Sequence, residues 1–435
     1  PENYRPINLV SVPAKVMESI VKDNIMTHLH QNNLIYPSQH GFLPGRSCNT
    51  NLLEYTNLVT KALDQGLSYD AIMLDYRRAF DKVPFRQMIS KLKSHGIDGK
   101  ALKWITDWTT NRLQRVVLNG TQSDWEKVLS SVVQGSVLGP ILFLIFINDL
   151  DIHINPNHNI LISKFADDTK LGKEITTNND CLQLQYALDE LVAWSHMNGM
   201  ELHADKCVVL HFGRKNPQYE YNIDGAKLQT ADAAKDLGIT IQNDCDTTQH
   251  VQNISKKAHV ILTQIKRSVC YRDTMVLPKI YKIFVRPTLE YAAQVWNPSK
   301  IGDVKTLEKV QQRAMRLVNF NEKKSYDEKL EAVGLPTLEA RRKRGDLLET
   351  FKIINGYSSL EKDMFFNHVQ DRHDVETRSH SNNLLVLEQC SLNIRKNFFC
   401  CRVVNEWNSL PEYVRQSTSV NNFKNNYDDY LLNII

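Results

Sequence analysis

Apolar positions along the chain follow two rhythms. The first recurs every four residues. Behind Pro13, the positions Met17, Val21, Ile25 and Leu29 predict an amphipathic helix with proline at its tolerated first turn. Lys100 to Trp108 and Leu182 to Trp194 predict two more helices, the second closed by Asn198-Gly199. The other rhythm is the short apolar run bounded by polar residues, which reads as a strand. Tyr69 to Tyr76 is such a run, carrying Asp75 at its exit. Ile160 to Phe165 and Thr169 to Gly172 flank a pair of acids, and Val208 to Phe212 and Leu237 to Ile241 come later. Arg115 to Gly120 predicts a strand entering an Asn-Gly turn, a strong hairpin signal. A turn punctuated by Gly and Pro, Gln39 to Ser47, separates the first helix from the first strand. From about Val251 onward the pattern is helical and basic. The order is mixed α and β first, then mostly α.

Composition narrows the class. The 435 residues are 42% apolar and 23% charged, enough for a large core in about two or three domains. That excludes a disordered tail, a collagenous chain and a disulfide-stapled scaffold. No internal repeat suggests a solenoid. The 8 cysteines, with Cys400-Cys401 adjacent and no CxxC, read as reduced intracellular thiols. Cys400, Cys401 and His380 lack zinc-ligand spacing. The run Ile141 to Ile147 is far too short to span a bilayer. There is no signal peptide and the first residue is Pro1, so the chain reads as a piece cut from something longer. Net charge is +4, but residues 251–350 hold 20 Lys and Arg against 11 Asp and Glu, leaving −5 for the rest. This suits a protein that grips a polyanion with one part and binds metal with another; a charged helical surface that serves solubility fits as well.

Two acidic sites each end an apolar strand: Asp75, and Asp167-Asp168 in the hairpin Ile162 to Thr169. Adjacent carboxylates at a tight turn repel unless they are solvated or bind cations. If the two strands are neighbours, Asp75 and Asp167 converge. Hard oxygen ligands suit Mg²⁺, and two such ions about 4 Å apart clamp the attacking and leaving oxygens of an in-line phosphoryl displacement. Taken alone, an Asp-Asp turn is more commonly a solvated surface turn.

The ordered set around these acids carries more. Tyr4-Arg5-Pro6-Ile7, Gln39-His40-Gly41-Phe42-Leu43-Pro44-Gly45-Arg46-Ser47, Leu74-Asp75-Tyr76-Arg77-Arg78-Ala79-Phe80-Asp81, Gln134-Gly135-Ser136-Val137-Leu138-Gly139-Pro140, Phe165-Ala166-Asp167-Asp168 and Asp205-Lys206-Cys207 occur in that order. Together they resemble the reverse transcriptase of non-LTR retrotransposons, most closely the jockey-like group. The resemblance runs through Arg344-Gly345-Asp346-Leu347 and Val404-Asn405-Glu406-Trp407-Asn408-Ser409-Leu410-Pro411. It implies an α+β right-hand polymerase: truncated fingers at 1–70, a palm with a small antiparallel sheet at 71–245, a helical thumb at 246–330 and a carboxy-terminal helical domain at 331–435.

The activity implied by that resemblance is RNA-directed DNA polymerisation, with two Mg²⁺ ions (Mn²⁺ as an alternative), template RNA, a DNA primer and dNTPs, and no membrane partner; oligomeric state stays open. The resemblance also implies a role for each motif residue. Asp75 and Asp167 would be the main metal ligands, supported by Asp168. Phe80 would wall off a ribose 2′-hydroxyl, although a plain core Phe is the competing reading. Gln134 and Gly135 would lie against the nucleotide and template, Arg5 would hold the triphosphate, and Arg46 would serve either the template or the fold. Lys206 would protonate the leaving pyrophosphate, against a bland reading as an exposed strand-entry Lys. Leu237-Gly238 resembles the primer grip. Lys256, Lys257, Lys266, Arg267, Lys282 and Arg286 would track the template–primer backbone, with Tyr281, Tyr291 and Trp296 either stacking on bases or packing helices. Arg341-Arg342-Lys343-Arg344 would bind RNA, direct nuclear import or be a solvated face. Localisation would be nuclear with a cytoplasmic ribonucleoprotein stage. Departures from the family pattern are Ser131 for Gly, Val133 for Pro, Arg78 for Lys and His203 for Asn; none removes a metal ligand. No stretch resembles the endonuclease or CCHC knuckle of such elements. The rival from another class is a decayed or repurposed nucleic-acid-binding protein that keeps the fold without activity.

Overall fold

Every residue of Ser68–Leu74 (β1) is buried, so this strand must be paired on both edges and covered on both faces. The computed structural model, which describes residues 8–154, 159–320, 322–368 and 383–432, places it at the centre of a five-stranded sheet. Leu161–Phe165 (β2) and Asp168–Ile175 (β3) form a hairpin, and Val208–Phe212 (β4) and Gln229–Thr230 (β5) complete the order β5-β4-β1-β3-β2. β1 is antiparallel to β3, with Leu74 opposite Thr169, and antiparallel to β4. β5 pairs parallel with β4.

Helices Val12–Gln31 (α1), Cys48–Asp64 (α2), Phe85–Ser94 (α3), Gly99–Thr110 (α4), Gly139–Ile147 (α5) and Asn178–Met197 (α6) occur in this stretch of chain. α5 is apolar around its whole circumference and buried from Ile141 to Ile147, as a helix inside a core must be. One core cluster holds α5 together with Ile72 of β1, Leu171 of β3, Val209 of β4, and Leu184, Leu188, Leu191 and Trp194 of α6. α6 opens in a capping box made by Thr177 and Asp180.

Three sequence expectations need correction. The stripe on α1 buries Ile25 and Leu29 but leaves Met17 exposed, and its third buried residue is Glu18. The hairpin at Asn119-Gly120 forms, yet its strands are two-residue ladders with exposed side chains, Arg115 lying over the Trp125 ring. Leu237 and Gly238 are a turn rather than the start of a strand, because Leu237 takes a left-handed φ of 43° that a strand cannot use.

The chain forms two compact bodies, Pro1–Asn51 with Ser68–Ala231 and Leu52–Leu67 with Asp232–Ile435. β1 starts at Ser68, and the segments expected as thumb and carboxy-terminal domain share one body. The second body contains the hairpin Ala233–Asp236 (β6) and Ile239–Gln242 (β7), then Thr248–Ser268 (α7) packed on Ile301–Leu317 (α8). Between these helices, Tyr281–Val285 forms a π-turn inside a helical stretch. Leu338–Ile354 (α9) and Val420–Leu432 (α10) come next, and Phe423 of α10 stacks on Phe351 of α9 and on Trp407. Among the described residues no helix is long and apolar enough to cross a membrane.

Candidate active site

Strand register builds the site. Pairing of β1 with β3 ends at Leu74 opposite Thr169, so Asp75 and Asp168 flank that last pair at one end of the sheet. Asp167 stands in the two-residue turn that joins β2 to β3, where Phe165 pairs with Asp168. Burial pushes the Tyr76 phenol up, a Ser195 hydrogen bond opposes this, and the nearby charges of Cys207 and Asp167 raise it further. Tyr76, the residue after Asp75, is therefore within the electrostatic reach of Asp167. The Asp75 carbonyl accepts from His203 N–H at 2.8 Å, and its carboxylate pairs with Lys206 Nζ at 3.5 Å. Lys206 occupies a single turn, Ala204–Lys206, just before β4, so the pairing of β4 with β1 returns it to Asp75. Asp75, Asp167, Asp168 and Lys206 thus share one end of the sheet, with Asp75 and Asp167 half-buried and Asp168 exposed. Among the described residues no three His, Cys, Asp or Glu side chains converge as a closed metal cluster. An open pair of carboxylates is the donor set that Mg²⁺ takes when substrate phosphates and water complete its shell.

The Gly/Pro-rich turn after α1 holds the acidic turn in place, a role that its sequence did not reveal. Gln39 Oε1 accepts from Ala166 N–H at 2.9 Å and from Gly41 N–H at 2.7 Å, while Nε2 donates to the Ala166 carbonyl at 3.3 Å. Ala166 has φ 56°, a costly conformation for a residue with a Cβ, and Gln39 grips it through both of its backbone groups. A Cβ on Gly41 would stand 2.6 Å from the Ala166 nitrogen, so only glycine permits this approach. Arg46 Nη1 donates to the carbonyls of Gln39, at 2.5 Å, and Pro37; it braces this loop. Behind the turn, Lys164 is fully buried and paired with Asp151, which also accepts from the Ser38 hydroxyl.

Phe80 is half-buried. One face stacks on Phe143 of α5 at 4.3 Å, and Phe42 meets it edge-on at 6.5 Å. Gln134 donates to Asp81 Oδ1 at 2.6 Å, and Gly135, exposed at φ 90°, needs the freedom of glycine. The loop is fixed from below by Glu18, whose buried carboxylate accepts from Val137 N–H at 2.7 Å and Leu138 N–H at 3.3 Å at the start of α5. Glu18 also escaped the sequence, because an acid beside an apolar stripe reads as surface.

In the second body, Leu237 and Gly238 are the two turn residues of the β6–β7 hairpin, at φ 43° and 91°. The Tyr291 hydroxyl donates to the Leu237 carbonyl at 2.9 Å. Lys256, Lys257, Lys266 and Arg267 are exposed on α7. Tyr281 and Trp296 are buried and hydrogen-bonded to Gln311 and the Tyr291 carbonyl, so both pack helices. The run at 341 is not a solvated face: Arg341 forks onto Glu290, Arg344 forks onto Asp428 and Arg342 is buried against Asn297. Arg5 lies outside the described residues.

The family model described as reverse transcriptase (RNA-dependent DNA polymerase) matches residues 1–257. The chain belongs to that family. It is 25% identical over 335 residues to the "Probable RNA-directed DNA polymerase from transposon BS" of Drosophila melanogaster, covering 73% of this chain and 36% of that one. It is 24% identical over 330 residues to the "RNA-directed DNA polymerase from mobile element jockey" of the same fly, with the same shares covered. The chain therefore spans about a third of the length of these relatives. Among solved structures, telomerase from Candida albicans with a fragment of telomeric RNA is similar at TM-score 0.41 and 11% identity, over 73% of this chain and 57% of that one.

Proposed function

We propose that this chain is the polymerase part of a non-LTR mobile element and extends a DNA primer on an RNA template. The observation that carries this reading is the register in which Leu74 faces Thr169, which brings Asp75 and Asp168 to the same end of the sheet with Asp167 in the adjoining turn. The primer 3′-hydroxyl attacks the α-phosphate of a dNTP, the bond to the β-phosphate breaks, and pyrophosphate leaves. Asp75 and Asp167 would hold two Mg²⁺ ions, with Asp168 supporting, and Mn²⁺ could take their place. Bound there, the ions supply charge stabilisation for the phosphoryl group and activation of the hydroxyl. Lys206, tied to Asp75, is the proton donor to pyrophosphate. Phe80 is the wall under the sugar, Gln134 and Gly135 line the nucleotide and template, Arg5 meets the triphosphate, and Leu237-Gly238 grips the primer. Arg46 acts through the loop that it braces. The chain works in the nucleus after a cytoplasmic ribonucleoprotein stage, which imaging of a tagged chain would test.

Two features disfavour the reading as a decayed nucleic-acid-binding protein: all three acids are present, and the Gln39 clamp that positions their turn is intact. Primer extension decides. Oligo(dT) on poly(A) RNA with dTTP and Mg²⁺ should lengthen with the purified chain and stay unextended with the Asp75→Asn variant. Hybrid binding without any extension by the unaltered chain would instead support the binding-protein reading.

A further inference from the structure

We propose that Cys390, Cys401 and Cys400 form a thiol site at which a peroxide joins Cys390 to Cys401 in a reversible disulfide, with Cys400 holding the charge that the reaction draws on. The site lies wholly in the second body and does not depend on the polymerase reading. Cys390 Sγ lies 3.5 Å from Cys401 Sγ, and Cys400 Sγ lies 3.9 Å from Cys401 Sγ. Cys390 is half-buried, while Cys400 and Cys401 are buried. Cys401 is therefore the shared neighbour of an outer thiol and an inner one. An S–S bond is about 2.05 Å long, so the outer pair must close by about 1.5 Å. One ion pair brackets the three sulfurs. Arg395 is only 3% exposed, and its Nη1 donates to Asn57 Oδ1 at 2.7 Å, the oxygen that also accepts from the Cys400 thiol at 3.6 Å. Nη2 of Arg395 donates to Glu388 Oε2 at 3.3 Å, and the Glu388 carbonyl accepts from Cys390 Sγ at 3.6 Å.

The thiolate is the nucleophile in such chemistry, so the place where charge settles matters. Cys400 ionises first: the hydrogen bond from Cys401 and the Arg395 charge pull its pKa down against burial. The hydrogen bond to Cys400 and burial push Cys401 up, and burial with the hydrogen bond to Cys401 pushes Cys390 up to about 12. Two proton hops then carry the thiolate outward, from Cys401 to Cys400 and from Cys390 to Cys401. The Cys390 thiolate attacks hydrogen peroxide, the O–O bond breaks, and Cys390 becomes a sulfenic acid as hydroxide leaves. That hydroxide takes the Cys401 proton and becomes water. Cys401 attacks the Cys390 sulfur, the S–S bond forms, the S–O bond breaks, and the departing hydroxide takes the proton that Cys400 received. Two thiols are oxidised, one peroxide is reduced to two waters, and Cys400 is a thiolate again. A reducing compartment keeps this bridge open until oxidant arrives.

The test is peptide mass mapping of the full chain after graded hydrogen peroxide, with free thiols blocked by iodoacetamide before digestion. A peptide pair bridged through Cys390 and Cys401 should appear, and dithiothreitol should return both thiols. Cys400→Ser should give the same bridge about tenfold more slowly, because the charge has lost its resting place. Cys390→Ser and Cys401→Ser should abolish the bridge. In Cys401→Ser the outer thiol should run on to the sulfinic acid, since no neighbour resolves it. Oxidation should raise the melting temperature of the unaltered chain by about 2–4 °C and leave that of Cys390→Ser unmoved. Sulfinic acid on Cys390 of the unaltered chain beside a free Cys401, or a bridge between Cys400 and Cys401 instead, refutes the pairing. Equal rates for Cys400→Ser and the unaltered chain refute the charge role. Should a serine variant fail to fold, mapping of the unaltered chain decides the pairing, and Cys400→Ala takes the place of Cys400→Ser. None of these readouts uses nucleotide addition, so loss of the polymerase reading would leave the thiol site to be judged on its own.

Discussion

Two hairpin turns in this molecule place a residue with a Cβ in the left-handed region, and the structure supports them in opposite ways. Ala166 tops the β2–β3 turn within a five-stranded sheet, is buried, and is held by Gln39 through both its N–H and its carbonyl. Leu237 tops the β6–β7 turn of a two-stranded sheet, is half-buried, and is held at its carbonyl by the Tyr291 hydroxyl. On the proposed reading the first turn carries acids that would have to stay within a fraction of an ångström for in-line chemistry, where small misplacements cost rate heavily. The second would hold a strand that has to advance, and a lightly tethered turn suits a grip that releases. The more firmly held turn is the one that would carry the chemistry.

The largest effect is expected from removing a charge in the first turn or beside it. Asp167→Asn or Asp75→Asn should lower nucleotide addition about a thousandfold or more while hybrid affinity stays within about twofold, because the volume persists and the transition-state stabilisation does not. Single-turnover extension beside anisotropy reads both. Next in size is the clamp. Gln39→Leu strips the partners from buried Ala166 backbone groups and should cost about 2–3 kcal/mol in urea melts, with a fall in single-nucleotide addition. If stability drops and addition does not, the clamp belongs to the fold alone.

Sugar choice comes third. Phe80→Val should raise incorporation of ribonucleotides relative to dNTPs. An unchanged ratio with a loss of about 1–3 kcal/mol would make Phe80 only the packing partner of Phe143. On the side of the second turn, His250 has a folded pKa of about 4, below its ordinary 6.5. The unfolded chain takes up a proton in that window and the folded chain does not. Stability is therefore full above pH 6.5 and falls as pH drops toward 4, by up to about 3 kcal/mol from this group. His250→Gln should flatten that part of the profile. The smallest effect is expected for Tyr291→Phe, about 1 kcal/mol, with processivity reduced more than first-nucleotide addition.

Strands and acids were legible in the sequence because their signals are local. The run from Tyr69 to Leu74 is apolar enough to demand burial, and Asp75 interrupts it at the place where the sheet ends. Asn119-Gly120 announced its own turn. Roles that depend on long-range contact stayed hidden. Gln39 meets Ala166 and Glu18 meets Val137 only after more than a hundred residues of chain have folded back. Leu237 read as a strand residue because its side chain suits one, whereas the turn needs its backbone. The basic run at Arg341 misled for the same reason: its ion-pair partners, Glu290 and Asp428, are far away in sequence.

Helix α5 has a consequence for how the chain is made. Its apolar circumference leaves the ribosome before α6 and β4, which share its core, have been synthesised. At translation speeds of about 5–20 residues per second, that interval lasts seconds, long enough for a sticky helix to meet a neighbour. A nascent chain arrested after α5 should therefore bind trigger-type chaperones, and one arrested after β4 should release them. Slowing the ribosome between those two points should lower the yield of soluble protein without altering a single side chain of the finished chain.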